Sequence, residues 1–177
     1  QHRLPSGFQS YVLNTRRPLL QDVRVREALG LAMDYERLNR QLFYNSYQRV
    51  TGLFGNTVCQ AAGEPSAEEI ALLEPWRRQL PPAVFGPMYR PPRTDGDSSL
   101  RANLRRAQAL LAEAGWAVGT DGVLRNAQGQ VFELEYMDSN EGGARTVLPW
   151  ARNLEKLGVR LRYRAVEYSH PAPVRDV

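Results

Sequence analysis

The residues best placed to do chemistry lie together in VFELEYMDSNEGGARTV, which starts at Val131. Asp138, Ser139 and Asn140 follow an alternating run that reads as a strand. Glu141, Gly142 and Gly143 come next, and Arg145 falls in the first turn of an amphipathic helix. In an open α/β sheet, ligands gather beyond the carboxyl ends of parallel strands. The free N–H groups of a helix start attract anions, so with Arg145 this junction could hold a carboxylate such as that of a peptide. A plainer use fits the same residues: Asp, Ser and Asn are common helix caps, and a glycine pair makes a turn. Both readings stand at this stage.

Catalysis finds less support. It needs a nucleophile with a base, paired carboxylates, or a set of metal ligands. His2 and His170 lie near the two ends, and Cys59 is the only cysteine, so neither an intrachain disulfide nor a cysteine metal cluster can form. Cys59 reads as a small buried or loop residue. No GxSxG, HExxH or glycine-rich phosphate loop occurs. Asp34, Glu36, Glu133 and Glu135 alternate onto solvent faces. The expectation is a protein that is not an enzyme and uses no cofactor and no metal.

Several elements must position the strand–helix junction. The alternating aromatic and β-branched residues of Phe8 to Leu13 predict a strand after a turn at Pro5 to Gly7. Pro18 sets a turn, Asp22 is placed to cap a helix, and Val25, Ala28, Leu29, Ala32 and Met33 recur at helical spacing, predicting one helix from Val23 to about Tyr44. Residues 46–65 read as a loop. Ser66 with Glu69 forms a capping-box pattern for a short helix through Leu73. Pro81 to Pro92 predicts an extended surface connection. Asp97 or Ser98 should cap a helix from Leu100 to Ala114, stopped by Gly115. A hairpin is expected from Gly122 to Tyr136 with its turn at Asn126 to Gly129. A helix from Ala144 to Leu157 ends at Gly158, and a strand from Val159 to Val166 puts Arg160, Arg162 and Arg164 on a wet face. Strand 131–136, helix 144–157 and strand 159–166 make a βαβ unit with parallel strands and a right-handed crossover.

The length of 177 residues suits one domain or one lobe of a larger protein. Hydrophobic content of 42% allows a real core, and no run approaches the roughly 18 apolar residues that cross a bilayer. No signal-peptide pattern opens the chain, which starts at Gln1 and reads as a piece of something longer. The net charge is +4, with a single lysine, Lys156, among 23 basic residues. A basic nucleic-acid-binding module is therefore a rival reading. The arginines are scattered, however, and Arg105 and Arg106 lie opposite Leu104, Ala107, Leu110 and Leu111, as on an ordinary solvated helix face. The expectation is no nucleic acid.

One wording in the chain goes beyond local physics. Asn14, Pro18, Asp22, Val25, Arg26, Ala28, Ala32 and Asp34 form a strand-ending Asn, Pro, Asp and V-R-x-A-x-x-x-A-x-D, which resembles the extracellular solute-binding protein family 5. RANLRRAQALLAEAGW, the strand VFELEY and RNLEKLGVRLRYRAVE follow in that family's order, so the resemblance covers Phe8 to Glu167. The segments LPSGFQSYVLNTRRP, FYNSYQRVTGLFGNT and ALLEPWRRQLPPAVFGP look like the branch that takes up peptides and microcin-C-like peptide conjugates. The end, YSHPAPVRDV, departs from the family pattern.

The resemblance implies an α/β chain (α+β being the alternative), one lobe of a type II periplasmic-binding-protein-like fold with a mixed sheet flanked by helices. It implies residues 1–177 as a single lobe, mostly the second, with 168–177 a disordered tail. The partners implied are an oligopeptide or peptide-conjugate ligand, the membrane permease subunits of an ABC importer, and the missing first lobe, in the periplasm of a Gram-negative bacterium. It also adds Tyr11 and Asn14 to the candidate ligand contacts, because Gln9 to Asn14 aligns with an edge strand that lends groups to an extended peptide. The junction of Asp138, Ser139, Asn140 and Arg145 would face the cleft. Val12 replaces a charged residue of some relatives, so that contact does not carry over.

Overall fold

The computed structural model describes residues 9–55, 57–96, 99–139 and 142–166. Asp97, Ser98, Asn140 and the tail 168–177, all named above, lie outside the described residues. The chain divides into two compact units, one of Gln1–Val12 with Gln48–Pro91, the other of Leu13–Tyr47 with Pro92–Val177.

The second unit carries the hydrophobic core. A short 3-10 turn, Pro18–Leu20, leads into α1 (Val23–Leu31). Asp22 caps α1 as expected, its carboxylate accepting the Arg24 N–H at 2.8 Å and the Arg24 guanidinium at 2.6 Å. That arginine also donates to the Glu113 carbonyl at 2.8 Å, tying the start of α1 to the end of α4 (Leu100–Glu113). Glu27 and Arg106 form an ion pair between these two helices. Their apolar faces meet at Val25, Ala28 and Leu29 on α1 and Ala107 and Leu111 on α4, all buried, while Arg105 and Arg106 stay exposed.

The single long helix expected from Val23 is instead two. After α1 the chain breaks at Ala32, and α2 (Tyr35–Phe43) begins anew with Asp34 as its N-cap. A short side-chain acceptor competes with the helix backbone and favours a cap over an interior position. Here the Asp34 carboxylate takes the Arg37 N–H and, at 2.5 Å, the Thr94 hydroxyl. Glu36 accepts from the Thr94 N–H at 3.1 Å, so neither carboxylate is simply a solvated face. α2 closes on left-handed Tyr44 and Asn45, and buried Asn39 holds the following chain by exchanging hydrogen bonds with Tyr47.

Ser99 caps α4, rather than the expected Asp97 or Ser98, and Gly115 ends it at φ +86. β1 (Trp116–Val118) and β2 (Leu124–Asn126) then pair antiparallel. The expected hairpin over Gly122 to Tyr136 keeps its turn, with Gly129 donating to the Asn126 carbonyl at 3.0 Å, but it shrinks to one bridge between Arg125 and Val131. Phe132, whose fully buried ring meets Trp116 edge-on at 4.7 Å, still donates its N–H to the Leu124 carbonyl of β2 at 2.9 Å, and the chain leaves β2 beyond it. β3 (Glu133–Asp138) pairs instead with β4 (Arg160–Ala165), in parallel and from Glu133 opposite Arg160 to Asp138 opposite Ala165. α5 (Ala144–Glu155) connects them, so the expected βαβ unit is present. Parallel and antiparallel pairing thus occur as two separate two-stranded sheets. On the outer face Arg162 pairs with Glu133 at 2.9 Å and Arg164 with Glu135 at 3.3 Å; these exposed bridges contribute about 1 kcal/mol or less each.

The first unit is built differently. Ser66 caps α3 (Ala67–Leu73) through a full capping box with Glu69, as read from the sequence. The proline-rich stretch is not wholly extended, since Pro82–Phe85 makes a 3-10 turn. Cys59 is an exposed loop residue. Residues 9–14, expected as a strand, form no ladder with any described residue. A strand exists only through a partner strand, and none lies alongside among the described residues.

Gly158 is tightly enclosed by backbone. Its φ of +78 favours glycine, and a Cβ there would lie 2.8 Å from both the Gly122 carbonyl and the Leu124 N–H. Gly129 has nearly the same φ, +77, but faces open space. Gly129→Ala should therefore cost only about 1–2 kcal/mol of left-handed strain, and Gly158→Ala about 1–3 kcal/mol more for overpacking. Urea unfolding of the two variants should show that gap; equal losses would mean that the Gly158 contact is not tight.

Candidate functional site

Asp138 ends β3 on the face it shares with buried Phe132 and Leu134. A parallel register sets Tyr136 beside Tyr163, and their rings stack at 6.1 Å with an interplanar angle of 14°. Because the side-chain period of a strand is two, Asp138 lies one step beyond this pair on the same face. The Tyr163 hydroxyl donates a long hydrogen bond of 3.4 Å to the Asp138 carboxylate. The Ala144 N–H at the start of α5 favours the ionised form of the same phenol. Strand end, neighbouring strand and helix start therefore converge on one acidic group and one phenol.

The N-cap of α5 is Gly143, with no side-chain cap, so the expectation that Asp138 or Ser139 caps this helix is not met. Asp138 comes close by another route. A Cβ built on Gly143 would fall 1.4 Å from an Asp138 carboxylate oxygen, so only glycine lets the carboxylate lie against the first helical turn. Gly143 has an ordinary φ of −64, and close approach rather than backbone freedom is what demands glycine. The favourable end of the helix dipole already faces a negative charge there.

Arg145 lies in the first turn of α5 and is exposed, with no side-chain hydrogen bond or ion pair among the described residues. Pro149, four residues on, has no N–H, which leaves the Arg145 carbonyl without its helical donor. Ser139 is exposed beside Asp138. Asn140 lies outside the described residues. Asn14 is occupied locally, its side-chain oxygen accepting the Arg16 N–H at 3.2 Å and its carbonyl the Arg17 N–H at 3.1 Å, as a turn residue does. Tyr11 is half-buried with its hydroxyl oxygen covered, and belongs to the other unit. The structure thus brings Asp138 and the α5 start that carries Arg145 together.

Tyr163 and Tyr136 were not among the residues singled out from the sequence. The signal was available: two aromatic positions at the same register of two predicted parallel strands must be neighbours, one step from Asp138. Both phenols ionise above the ordinary value of 10. Burial is the largest cause for each, followed by the nearby Asp138 charge; for Tyr163 the Ala144 N–H opposes the shift.

The linkage follows in sign. Below pH 10 both phenols are neutral in folded and unfolded chains. Above it the unfolded chain loses its protons first, so stability falls as pH rises past 10. In Asp138→Asn both phenols should titrate earlier by ultraviolet absorbance, yet still later than free tyrosine, because burial remains. Unchanged titration in that variant would mean the carboxylate does not face the pair.

Comparison with known proteins gives this geometry a setting. Residues 1–175 match the family described as bacterial extracellular solute-binding proteins, family 5 Middle. A probable peptide-binding protein, YejA of Agrobacterium fabrum, is 36% identical over 162 residues, which cover 92% of this chain and 26% of that protein. YejA of Escherichia coli K12 is 38% identical over 156 residues, covering 88% and 26%. The chain therefore spans about a quarter of the length of these curated relatives. Among solved structures, the oligopeptide-binding protein AppA of Bacillus subtilis in complex with a nonapeptide superposes with a TM-score of 0.58 over 88% of this chain and 25% of that one. At 21% identity this is a likeness of fold. An oligopeptide-binding protein of Thermus thermophilus, complexed with a pentapeptide, gives a TM-score of 0.56 at 25% identity over 84% and 20% of the two chains. The expected fold class, mixed helix and sheet of the type II periplasmic-binding-protein kind, is met. The chain belongs to family 5 of the bacterial extracellular solute-binding proteins, a family that binds solutes and is not defined by catalysis.

Proposed function

We propose that the protein carrying this segment is the substrate-binding component of an ABC importer, which captures oligopeptides or peptide conjugates in the periplasm of a Gram-negative bacterium and leaves them chemically unchanged. The observation that carries the reading is the family match over residues 1–175, joined to 36% identity with a probable peptide-binding protein. The ligand is held between two lobes that close on a hinge, and the closed form docks on the permease subunits. This segment supplies one wall, mostly of the second lobe, and the first lobe comes from the rest of the protein.

The strand–helix junction is the contact proposed within this wall. Asp138, Ser139, Asn140 and Arg145 offer one acidic group, one basic group and small polar ones, which suits a ligand with both charges, as a peptide has. The Asp138 carboxylate against Gly143 makes the helix start a poor cradle for an anion, so Arg145 is assigned the ligand carboxylate and Asp138 a cationic group. Tyr11 and Asn14 are proposed as a second contact, on the resemblance of their segment to a strand that lends main-chain groups to extended peptides. Main-chain recognition would make affinity largely independent of ligand side chains.

Calorimetric titration of the full-length protein with short peptides of mixed sequence tests this reading. Saturable binding is expected, weakened about tenfold, or ~1.4 kcal/mol, in each of Asp138→Ala and Arg145→Ala, with unchanged melting temperatures. No peptide binding, together with DNA binding that falls steeply between two salt concentrations, would replace the reading by the nucleic-acid one.

A further inference from the structure

An open groove of about 370 Å³ lies between α4 and the end of α5, wholly within the second unit. Its floor is apolar: Leu100 and Leu104, one turn apart on α4, meet buried Leu157. Arg101, Arg105 and Lys156 stand around it with Gln108, and none of the seven lining residues is acidic. All three cations are exposed, and none has an ion pair among the described residues. Arg106, the next residue on α4, shows the contrast, since Glu27 neutralises it. The Lys156 ammonium is steadied instead by buried Asn153, whose side-chain oxygen accepts from it at 3.2 Å.

This arrangement works against the local stability of α4. The positive end of a helix dipole favours acidic residues in the first turn, and like charges one turn apart repel. α4 has no acidic residue in its first turn, carries Arg101 there instead, and repeats the charge at Arg105. A solvated helix face needs neither feature. Carboxylates placed over Arg101 and Arg105 would answer the dipole and the repulsion together. Charge spread over three side chains matches several carboxylates better than a single head group. Helical geometry sets the Cβ atoms of Arg101 and Arg105 about 5–6 Å apart, the spacing that acidic residues one turn apart on a partner helix also have. The leucine floor gives an apolar side chain a place between them.

We propose that this groove docks an acidic amphipathic helix of a partner protein. Its carboxylates pair with Arg101, Arg105 and Lys156, and an apolar side chain rests on Leu100, Leu104 and Leu157. Arginine clusters recognise acidic motifs and amphipathic helices lay their apolar face into grooves; the two modes meet here. The groove shares no residue with the Asp138 junction. That junction lies at the start of α5 and the groove at its end, and the twelve residues between span about 18 Å. The partner and a ligand at the junction can therefore be held at once. Neither a peptide ligand nor the importer reading is needed for this docking.

Fluorescence anisotropy with the full-length protein tests it. The probe is a fluorescein-labelled helical peptide with blocked ends, about five turns long, bearing glutamates one turn apart beside a leucine stripe. It is titrated with and without excess short peptides of mixed sequence. Saturable binding that weakens with salt is expected. It should fall about tenfold or more in Arg101→Ala/Arg105→Ala, and equally when glutamine replaces every glutamate of the probe. Arg152→Ala/Arg160→Ala removes the same charge from exposed positions outside the groove and should leave binding as it was. The melting temperature of Arg101→Ala/Arg105→Ala should hold or rise, because repulsion is relieved; a fall would make the arginines structural and overturn the proposal. Equal loss in the control pair would reduce the effect to net charge, and competition by the short peptides would place the probe in a ligand site; either overturns it, as does absence of saturable binding. Phosphatidylglycerol vesicles that bind through Arg101 and Arg105 while the probe does not would replace the helix by a membrane surface.

Discussion

Two buried hydrogen bonds hold the candidate site to the core. The indole N–H of Trp150 donates to the Leu29 carbonyl and the side-chain amide of Asn153 to the Ala32 carbonyl, each at 3.0 Å and each across 121 residues of chain. The last carbonyls of a helix have no partner inside it, and α1 ends at Leu31. Its orphan acceptors are thus satisfied by α5, the helix that starts beside Asp138. Losing either donor would strand a buried carbonyl, at about 1–3 kcal/mol. Both side chains are nearly inaccessible, and around them pack Val147, Ala151 and Leu154 of α5. With α5 held from behind along its length, its first turn has a defined place against the ends of β3 and β4.

That arrangement separates a rigid support from an adaptable rim. Phe132, Leu134, Val147, Leu154 and Val159 exclude water behind the junction. Tyr136 and Tyr163 form an intermediate layer, half-buried and stacked. Asp138 is half-buried beside it, and Ser139 and Arg145 are exposed. A binding surface gains from this order, because side chains at the rim can follow different ligands while the backbone that aims them stays put.

Much of this was legible beforehand, and the failures are instructive. Asp22, the Ser66–Glu69 box, Gly115 and Gly158 acted as local signals should, because caps and left-handed stops depend on a few neighbouring residues. The βαβ unit was legible because Leu134, Leu161 and the face of α5 repeat at their proper periods. The break between α1 and α2 was hidden, since Asp34 becomes a cap through Thr94, sixty residues away. The hairpin is shorter than expected because, beyond Phe132, the chain pairs with β4, a distant partner that local turn signals do not name. The capping reading of Asp138 at α5 fails for a similar reason: its carboxylate reaches the helix start across the strand end, through space opened by Gly143, without capping it. The strand expected at Gln9 to Asn14 had the right composition but finds no ladder partner among the described residues.

The account stands on the junction of β3, β4 and α5 being the wall that meets the ligand. Hydrogen exchange of the full-length protein with and without a bound peptide addresses it most directly. The account predicts that the amides of Ala144 to Val147 and of Tyr163 to Ala165 gain protection when peptide is added, while those of α4 stay as they were. Saturating peptide that leaves these amides unchanged, and slows exchange only elsewhere, would contradict it.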